Sequence, residues 1–591
     1  MNDGRFQTLW RVSAATLTVL LCASCALRAK EDGPVIRASQ FGAAPDDGKD
    51  DTAAVQAAID KLVTVDGARL VFEKGQYDFA AGKNPRSKRV AMLFRDAKNI
   101  TIDGRAATLM FSGLTSSLVF QRCRGVTVRD LTIDWARPPF SVGTVKATSK
   151  QSLDVQVEPA FPVKGGEPVE ALMEYDPATR LPRRRGREAY HVVQSTELVA
   201  PQVLRLKLTR PVNVARGRLL VLRHQVYRYN ALSFRECSDV TVEGVTVYTT
   251  PGMGLAAQRS HNLTVKGFQV RPRPRSRRIM SATADATHFN SCSGKIRIED
   301  CLFDGMGDDA VNVHGMWHTV KSLADAHTVV TTCRNGWLIP PKPGHRMELT
   351  DAATILPYAT VTVKAVTLDR KTKTHRLTFD EELPKRLKPG DVLGNVDWAP
   401  ELHISGCTVR NNRARGFLIQ TRRARIEKNR FERCTSSGIH IATDVGHWTE
   451  SIGTRDVVIR ENMFIECNYG AAMASAVIMA FAHLPGWKHV PNAGVHRGLT
   501  IEGNIIRGTD NAAIFISATD GAVIRKNVIE GCSRNRIRTS GKSAIYLMNA
   551  RNIEVVGNLL APPRGKDLAA PLGLGPGCDR KTIRVADNVG F

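Results

Sequence analysis

Aromatic side chains are scarce in this sequence, at 6% of 591 positions. Acids are also in deficit, with 57 Asp and Glu against 83 Lys and Arg. Past residue 29 no apolar run approaches the ~20 residues that a membrane-spanning helix needs, so a helical span is not expected there. Twelve cysteines are present, but none of the ten beyond residue 29 forms a Cys-x-x-Cys pair, so no zinc site is expected. These cysteines read as small buried fillers, mostly at strand ends as in "FERC" and "FIEC". The Asp-x-Asp-x-Asp-Gly order of a calcium loop is missing, as are leucine-rich and Trp-Asp repeat signatures. What is plentiful is glycine, 47 residues, beside 42% hydrophobic content. That balance gives enough apolar surface for a large core and favours many short strands and turns over long helices.

Residues 1–29 read as an export signal. Arg5 and Arg11 make a weakly basic start, and the apolar stretch Val12 to Ala26 is too short to span a bilayer. "SCA" ending at Ala26 fits a cleavage site, while "CAS" ahead of Cys25 offers the alternative of a lipidated Cys25 and a membrane tether. The expected location is therefore exported: periplasmic, secreted or anchored at the outer membrane as a lipoprotein. The net charge of +26 can attract nucleic acid, anionic lipid or acidic polysaccharide. Export argues against nucleic acid. The densest basic patches are Arg180 to Arg187 and Arg271 to Arg278. A solvated basic surface is the plain reading of them, and an anionic glycan partner the sharper one. Nothing in the sequence specifies an oligomeric state.

The dominant pattern is a ten-residue unit of two short strands around a polar break. It starts at Val126, Val240, Leu263, Ile296, Leu402, Ala424, Val457, Leu499, Ala522, Ile553 and Ile583. Alternating apolar residues mark half-buried strands. The late copies repeat asparagine at one offset: Asn429, Asn462, Asn504, Asn527, Asn558 and Asn588. Asparagine tolerates left-handed backbone angles and its amide can bond to its own kind one coil away, so a stacked asparagine column is expected. Most spacings suit one coil of a parallel β-helix with strands stacked ~4.8 Å apart.

Two long gaps break the period, and each holds alternating segments with Pro- and Gly-containing turns. They read as antiparallel β modules inserted into the coil. A helix of this kind has open strand edges at its ends, and "DDTAAVQAAIDKLV", Asp50 to Val63, is an amphipathic α-helix suited to plug the first of them. The expected fold is all-β: a right-handed parallel β-helix with an N-terminal capping helix and two inserted antiparallel, barrel-like modules. The boundaries are 1–29 for the signal, 30–140 for the cap and first coils, and 141–230 for the first insert. Then come 231–315 for the coils bearing the acidic cluster, 316–400 for the second insert and 401–591 for the last coils.

The cluster is "GMGDDAVNVHG", Gly305 to Gly315. "DAVNV" from Asp309 lies one coil after "DATHF" from Asp285, so Asp285 and Asp309 should share a column with Asp308 beside them. "RGFLI" from Arg415 and "SGIHI" from Ser437 continue that column. Clustered carboxylates disfavour simultaneous ionisation, so one of them becomes a proton donor while the others stay charged. That pattern suits glycoside hydrolysis. Asp-Asp after Gly is also an ordinary turn sequence, and His288 and His314 read either as sugar contacts or as ordinary buried histidines.

"FGAAPDDGKDDTAAVQAAID" resembles the N-terminal signature of pectate-lyase-like β-helices. Ser281 to Gly315 and "WTESIGTRDVVIRENMF" from Trp448 are similar to glycoside hydrolase family 110, the α-1,3-galactosidases. The resemblance implies an inverting exo-enzyme that removes terminal α-1,3-linked galactose without cofactor or metal. Its three catalytic aspartates would be Asp285, Asp308 and Asp309. By analogy with polygalacturonases, Asp308 would be the general acid while Asp285 and Asp309 hold the water. Arg278, His288, His314, Arg415, Trp448 and Glu450 are candidate sugar contacts. The partner is a galactose-containing glycan, anionic if the basic charge is functional. The rival readings are a polygalacturonase-like hydrolase or lyase on acidic glycan, and a non-catalytic glycan-binding β-helix.

Overall fold

The computed structural model describes residues 33–470, 476–535 and 542–591; the leader read over residues 1–29, with Cys25, lies outside them. Among the described residues no helix is long and apolar enough to cross a membrane.

The chain winds into coils whose strands form parallel rows. One row runs through Arg124–Trp135, Ser238–Glu243, His261–Lys266, Ser293–Glu299, Glu401–Ser405 and Arg422–Glu427 and onward. In it the eleven repeat starts sit directly over one another, from Val126 on Val240 to Ile553 on Ile583. Each start points inward, as the period of two requires, and all but Ile583, which is partly buried at the last coil, bury their side chains. Phenylalanines stack between coils in the same way: Phe94, Phe120 and Phe234 have ring centres 4.3 and 4.9 Å apart. All ten described cysteines are free, and nine of them are buried.

The asparagine column is present, and it is satisfied at every rung. Asn429 Nδ2 donates to Asn462 Oδ1 at 3.0 Å and to the Ile404 carbonyl at 3.1 Å, and its backbone N–H donates to the same Asn462 Oδ1. The pattern recurs from Asn462 to Asn504, Asn504 to Asn527, Asn527 to Asn558 and Asn558 to Asn588. One detail differs from expectation. The asparagines themselves do not take the left-handed angle. The residue before each does: Lys428, Glu461, Gly503, Lys526, Gly557 and Asp587 all have φ between 54° and 63°. The amide group, not backbone tolerance, selects asparagine here.

The capping helix is Thr52–Leu62, shorter than the sequence pattern by a residue or two at each end. Asp50 Oδ1 accepts from the Thr52 amide and hydroxyl, and Asp51 is turned to the neighbouring strand, accepting from the amides of Ala44 and Asp78. Val55, Ala58, Ile59 and Leu62 close the end of the core.

The first excursion from the coil is a seven-stranded antiparallel sheet between Phe140 and Arg223, with its own core around Phe140, Phe161, Leu204 and Leu222. The second is a closed six-stranded barrel between His318 and Asn395, cored by Val329, Leu349, Leu377 and Phe379. The second leaves directly after Val311–Met316, in the coil that carries Asp308 and Asp309, while the first leaves after Arg124–Trp135 and returns at Leu232–Arg235, earlier in the coil stack.

Candidate active site

The strands Thr287–Asn290 and Val311–Met316 pair in parallel with Thr287 opposite Val311, so Asp285 stands over Asp309. Extending the register brings Arg415 and then Ser437 into the same column. Two glycines shape the turn: Gly305 has φ of +68°, and a Cβ on Gly307 would sit 2.5 Å from the Thr283 carbonyl oxygen. That close approach is fixed by Arg223, a fully buried guanidinium donating to the carbonyls of both Thr283 and Gly307 at 2.9 Å. It therefore ties together the two segments that precede Asp285 and Asp308.

One oxygen from each of Asp285, Asp308 and Asp309 fits within 4.8 Å of the others. All three are buried, with Asp308 the least so at 7%. Their partners differ. Asp308 accepts from Arg413 Nη1 at 2.8 Å and from Tyr227 Oη at 2.5 Å. These contacts and the nearby arginines outweigh desolvation and hold it below the usual carboxylate range. Asp309 lies 2.9 Å from Arg415 Nη2 and accepts from the Arg415 amide. Burial, with the charges of Asp308 and Asp285, still pushes it well up. Asp285 is raised by burial and by Asp308. In the ligand-free site the acid expected at Asp308 is thus the most ionised member of the trio.

The hydrogen-bond chain behind Asp285 leads to the same place by geometry. The Gly315 carbonyl can only accept, so His314 Nδ1, 2.8 Å away, must donate. In neutral His314 the other nitrogen is then an acceptor, which makes His288 Nε2, 2.9 Å from it, the donor. His288 Nδ1 is left facing Asp285 Oδ2 at 2.7 Å with one proton between them. Burial lowers both histidines, which favours placing that proton on Asp285. Glu450 flanks the chain, with Oε1 3.7 Å from His314 Nε2 and Oε2 accepting from Gln420 Nε2 at 2.6 Å. It is brought there by antiparallel pairing of Glu450–Ser451 with Gly315 and Met316.

Of the nine residues singled out from the sequence, Asp285, Asp308, Asp309, His288, His314, Arg415 and Glu450 meet in this cluster. Trp448 stands at the rim, 40% exposed, on a loop folded around the Asp444 carboxylate, which accepts from the amides of Gly446, His447, Trp448 and Thr449. The Arg334 guanidinium lies 4.0 Å over one face of its ring. Arg278 is placed otherwise: its guanidinium is committed to Asp134 at 2.5 Å and to the Trp135 carbonyl at 3.0 Å. Sequence reasoning missed Tyr227, Arg413, Arg223, Gln420 and Tyr190, whose ring carries both Arg223 and Arg413 against it. Tyr190 belongs to the first insert, and no local pattern announces that it folds back over the aspartates.

Buried polar atoms around the cluster lack partners: Asn312 Oδ1, Arg415 Nε, Gln420 Oε1 and His440 Nε2. Asn312 and His440 lie in the same cross-strand row as His288. A ligand dense in hydroxyl groups would satisfy them. A cavity of about 870 Å³ lies along a different row, lined by Arg297, His403, Arg425 and Val458, and holds none of the aspartates. It is a concave charged flank rather than a place with chemistry.

Comparison with known proteins agrees with the sequence resemblance. Residues 392–480 match the family described as right handed beta helix region. Alpha-1,3-galactosidase A of Shewanella woodyi is 29% identical over 92% of this chain and 93% of its own. Alpha-1,3-galactosidase B of Phocaeicola vulgatus is 28% identical over 89% and 94%. Alpha-1,3-galactosidase B of Akkermansia muciniphila is 27% identical over 90% of this chain and 70% of its own. Among solved structures, a family 28 exopolygalacturonase of Yersinia enterocolitica covers 94% of this chain and 78% of its own at 11% identity, with a TM-score of 0.44. That likeness is too loose to bear on activity.

Proposed function

We propose that the protein is a glycoside hydrolase that releases terminal α-1,3-linked galactose, with inversion, from oligo- or polysaccharides. The observation that carries this is the stacked trio Asp285, Asp308 and Asp309, held between Arg413, Arg415 and His288 and ringed by unpartnered polar atoms. The curated relatives named alpha-1,3-galactosidase, similar over nearly the whole chain, supply the sugar and linkage.

Asp308 protonates the leaving oxygen, while Asp285 and Asp309 hold and deprotonate the attacking water. The trio shares its proton and titrates as a unit. Sugar hydroxyls donating to Asp285 and Asp309 favour their ionised forms, and the glycosidic oxygen, an acceptor, favours Asp308 in its protonated form. Binding therefore moves the proton from its resting place by His288 to where bond breaking needs it. The carboxyls sit closer than the about 6.5–9.5 Å usual for a single acid–base pair in inverting enzymes. Inversion accordingly rests on the family resemblance, with two carboxylates on the water instead of one. Trp448 offers its uncovered face to the apolar side of galactose at the rim.

A neutral galactoside fits better than an acidic chain. Arg180 and Arg277 converge on Glu158, Arg183 pairs with Glu174, Arg184 with Asp510, and Arg273 and Arg278 with Asp134. These arginines of the two densest basic stretches are thus paired with carboxylates rather than free for a ligand. The leader at residues 1–29 supports an exported enzyme meeting its glycan outside the cytoplasm.

The test is proton NMR of an α-1,3-linked galactobioside with the purified protein, following the anomer released before mutarotation. β-Galactose first is the expected result. α-Galactose first would keep the hydrolase and overturn inversion. No release would overturn the activity, and oligogalacturonates would then be the substrates to try.

A further inference from the structure

The second insert contains a cluster that the hydrolase site does not use. His318 lies on strand His318–Asp325, Cys333 directly follows strand Thr328–Thr332, and His375 lies on strand Thr374–Phe379. Their exposures are 0, 5 and 0%. We propose that His318, Cys333 and His375 form a binding site for a divalent transition metal of the zinc class inside this barrel.

Three ring nitrogens, His318 Nε2 and both nitrogens of His375, are buried without a hydrogen-bond partner. Leaving buried polar atoms unsatisfied is costly, and an ion held by His318 Nδ1 would engage one of the two unpartnered His375 nitrogens. The rings meet edge to face with centres 4.9 Å apart, and one ligand atom from each of the three residues fits within 4.8 Å of the others. Cys333 Sγ is 3.6 Å from His318 Nδ1. Zinc bonds of ~2.3 Å to sulfur and ~2.0 Å to nitrogen at a tetrahedral angle place the two ligand atoms about 3.5 Å apart, so this edge is already set.

The donor set decides the metal class. One thiolate and two imidazoles select zinc or a neighbouring transition ion over calcium or magnesium, which want oxygen. The histidines are in their ligating form, while the thiol has to give up its proton. Burial keeps both histidines neutral and pushes the Cys333 thiol up to about 12. The ion replaces the thiol proton, which leaves to solvent as the sulfur–metal bond forms. Three protein ligands leave a fourth position for water or for Thr331 Oγ1, 3.4 Å from His318 Nδ1. No local sequence pattern announces the site, because the three residues come from separate strands and a strand end, not from a Cys-x-x-Cys knuckle. The proposal departs from the expectation of no zinc site, which rested on the missing Cys-x-x-Cys pair. Arg334, whose guanidinium covers Trp448, is the next residue after Cys333, so an ion here would also anchor the segment that reaches the rim of the hydrolase site.

The experiment uses the untagged full chain, stripped with a chelator and titrated with Co²⁺ and then Zn²⁺. Expected are one equivalent of Co²⁺ with a thiolate-to-cobalt charge-transfer band, its displacement by one equivalent of Zn²⁺, and a rise of several degrees in melting temperature. Cys333→Ser, checked for folding by circular dichroism, should lose the band, and His375→Gln should weaken binding at least tenfold. Cobalt bound without a charge-transfer band in the folded wild type would overturn the site and point to the aspartate trio. So would no binding, or a band indifferent to Cys333→Ser.

Discussion

Two polar columns run through this β-helix, and they solve the same stacking problem in opposite ways. In the late coils six asparagines sit one per coil, each donating to the next and accepting from the one before. An amide is donor and acceptor at once, so the column satisfies itself and could lengthen without help. In the middle coils Asp285 and Asp309 occupy equivalent positions one coil apart, with Asp308 beside them. An ionised carboxylate only accepts, so this stack repels itself and must be held by others: Arg413, Arg415, Tyr227, His288 and, behind the turn, Arg223. One column provides stability. The other uses stability supplied by its surroundings to keep a proton mobile among carboxylates.

The sharpest way to separate the columns is to make the charged one resemble the neutral one. Asp308→Asn removes the acid while keeping shape, and the proposed role predicts a fall in kcat of about 10²–10⁴-fold on an α-1,3-galactobioside, with circular dichroism unchanged. The loss should be far smaller on an aryl α-galactoside whose leaving group needs no proton. Equal losses on both substrates would take the acid role away from Asp308 and leave it to the Asp285–His288 pair.

Breaking the neutral column should do the reverse. Asn504→Ala leaves the Asn462 N–H and Nδ2 without their acceptor and the Ile459 carbonyl without its side-chain donor, while Asn527 Oδ1 keeps only the backbone N–H of residue 504. Losing buried bonds of this kind costs about 1–3 kcal/mol, read as a lower melting temperature and faster proteolysis of the late coils. The kcat of the surviving folded protein should be unchanged. A catalytic defect without a stability loss would mean that the two columns are coupled.

The comparison also explains what could be read from the sequence. The asparagine column, the strand register and the one-coil match of Asp285 to Asp309 were legible because a parallel β-helix repeats: each coil reports where its neighbour's side chains go. Repetition carries no such information about the inserts. Tyr190 and the buried Arg223 reach the aspartates from the first insert, and Tyr227 follows directly on its last strand. His318 finds Cys333 and His375 only when the second insert closes into a barrel. Arg278, read as a sugar contact from its neighbours in sequence, is instead taken up by Asp134, more than a hundred residues earlier. The lowered pKa of Asp308 is not legible in the sequence for the same reason. The Asp-Asp repulsion is visible in the sequence, but Tyr227 is not, and Arg413 was passed over for Arg415.

Acidity separates the members of the trio by a smaller effect. Asp285 has a raised folded-state pKa, so its contribution to stability is present below the ordinary carboxylate range and is lost as pH rises through the raised value. At neutral pH folding must protonate it, which is a burden, and Asp285→Asn should melt higher than wild type, with the difference closing as the pH is lowered. Asp308 has a lowered pKa, so its contribution is present above the ordinary range and is lost only as pH falls through the lowered value. Asp308→Asn should melt lower than wild type at neutral pH. Melting curves of the two variants between pH 4 and pH 8 check this, and shifts of the same sign would contradict the opposite placement of the two groups.

The smallest effect expected is that of salt. A net charge of +26 would ordinarily promise a substrate drawn in by long-range attraction and weakened by screening. Yet the two densest basic stretches meet at Glu158, and several of their other arginines end on Glu174, Asp510 and Asp134. At the trio, Arg413 and Arg415 are matched by carboxylates and so present little free positive charge to a ligand. KM for a neutral galactobioside should therefore change less than about twofold as the Debye length shrinks from ~30 Å at 0.01 M to ~8 Å at 0.15 M ionic strength. A steep rise of KM with salt on a sulfated or uronic-acid-bearing galactan, absent on the neutral sugar, would show that arginines outside these pairs select an anionic glycan. The charged column would then govern turnover while the basic surface chose the polymer.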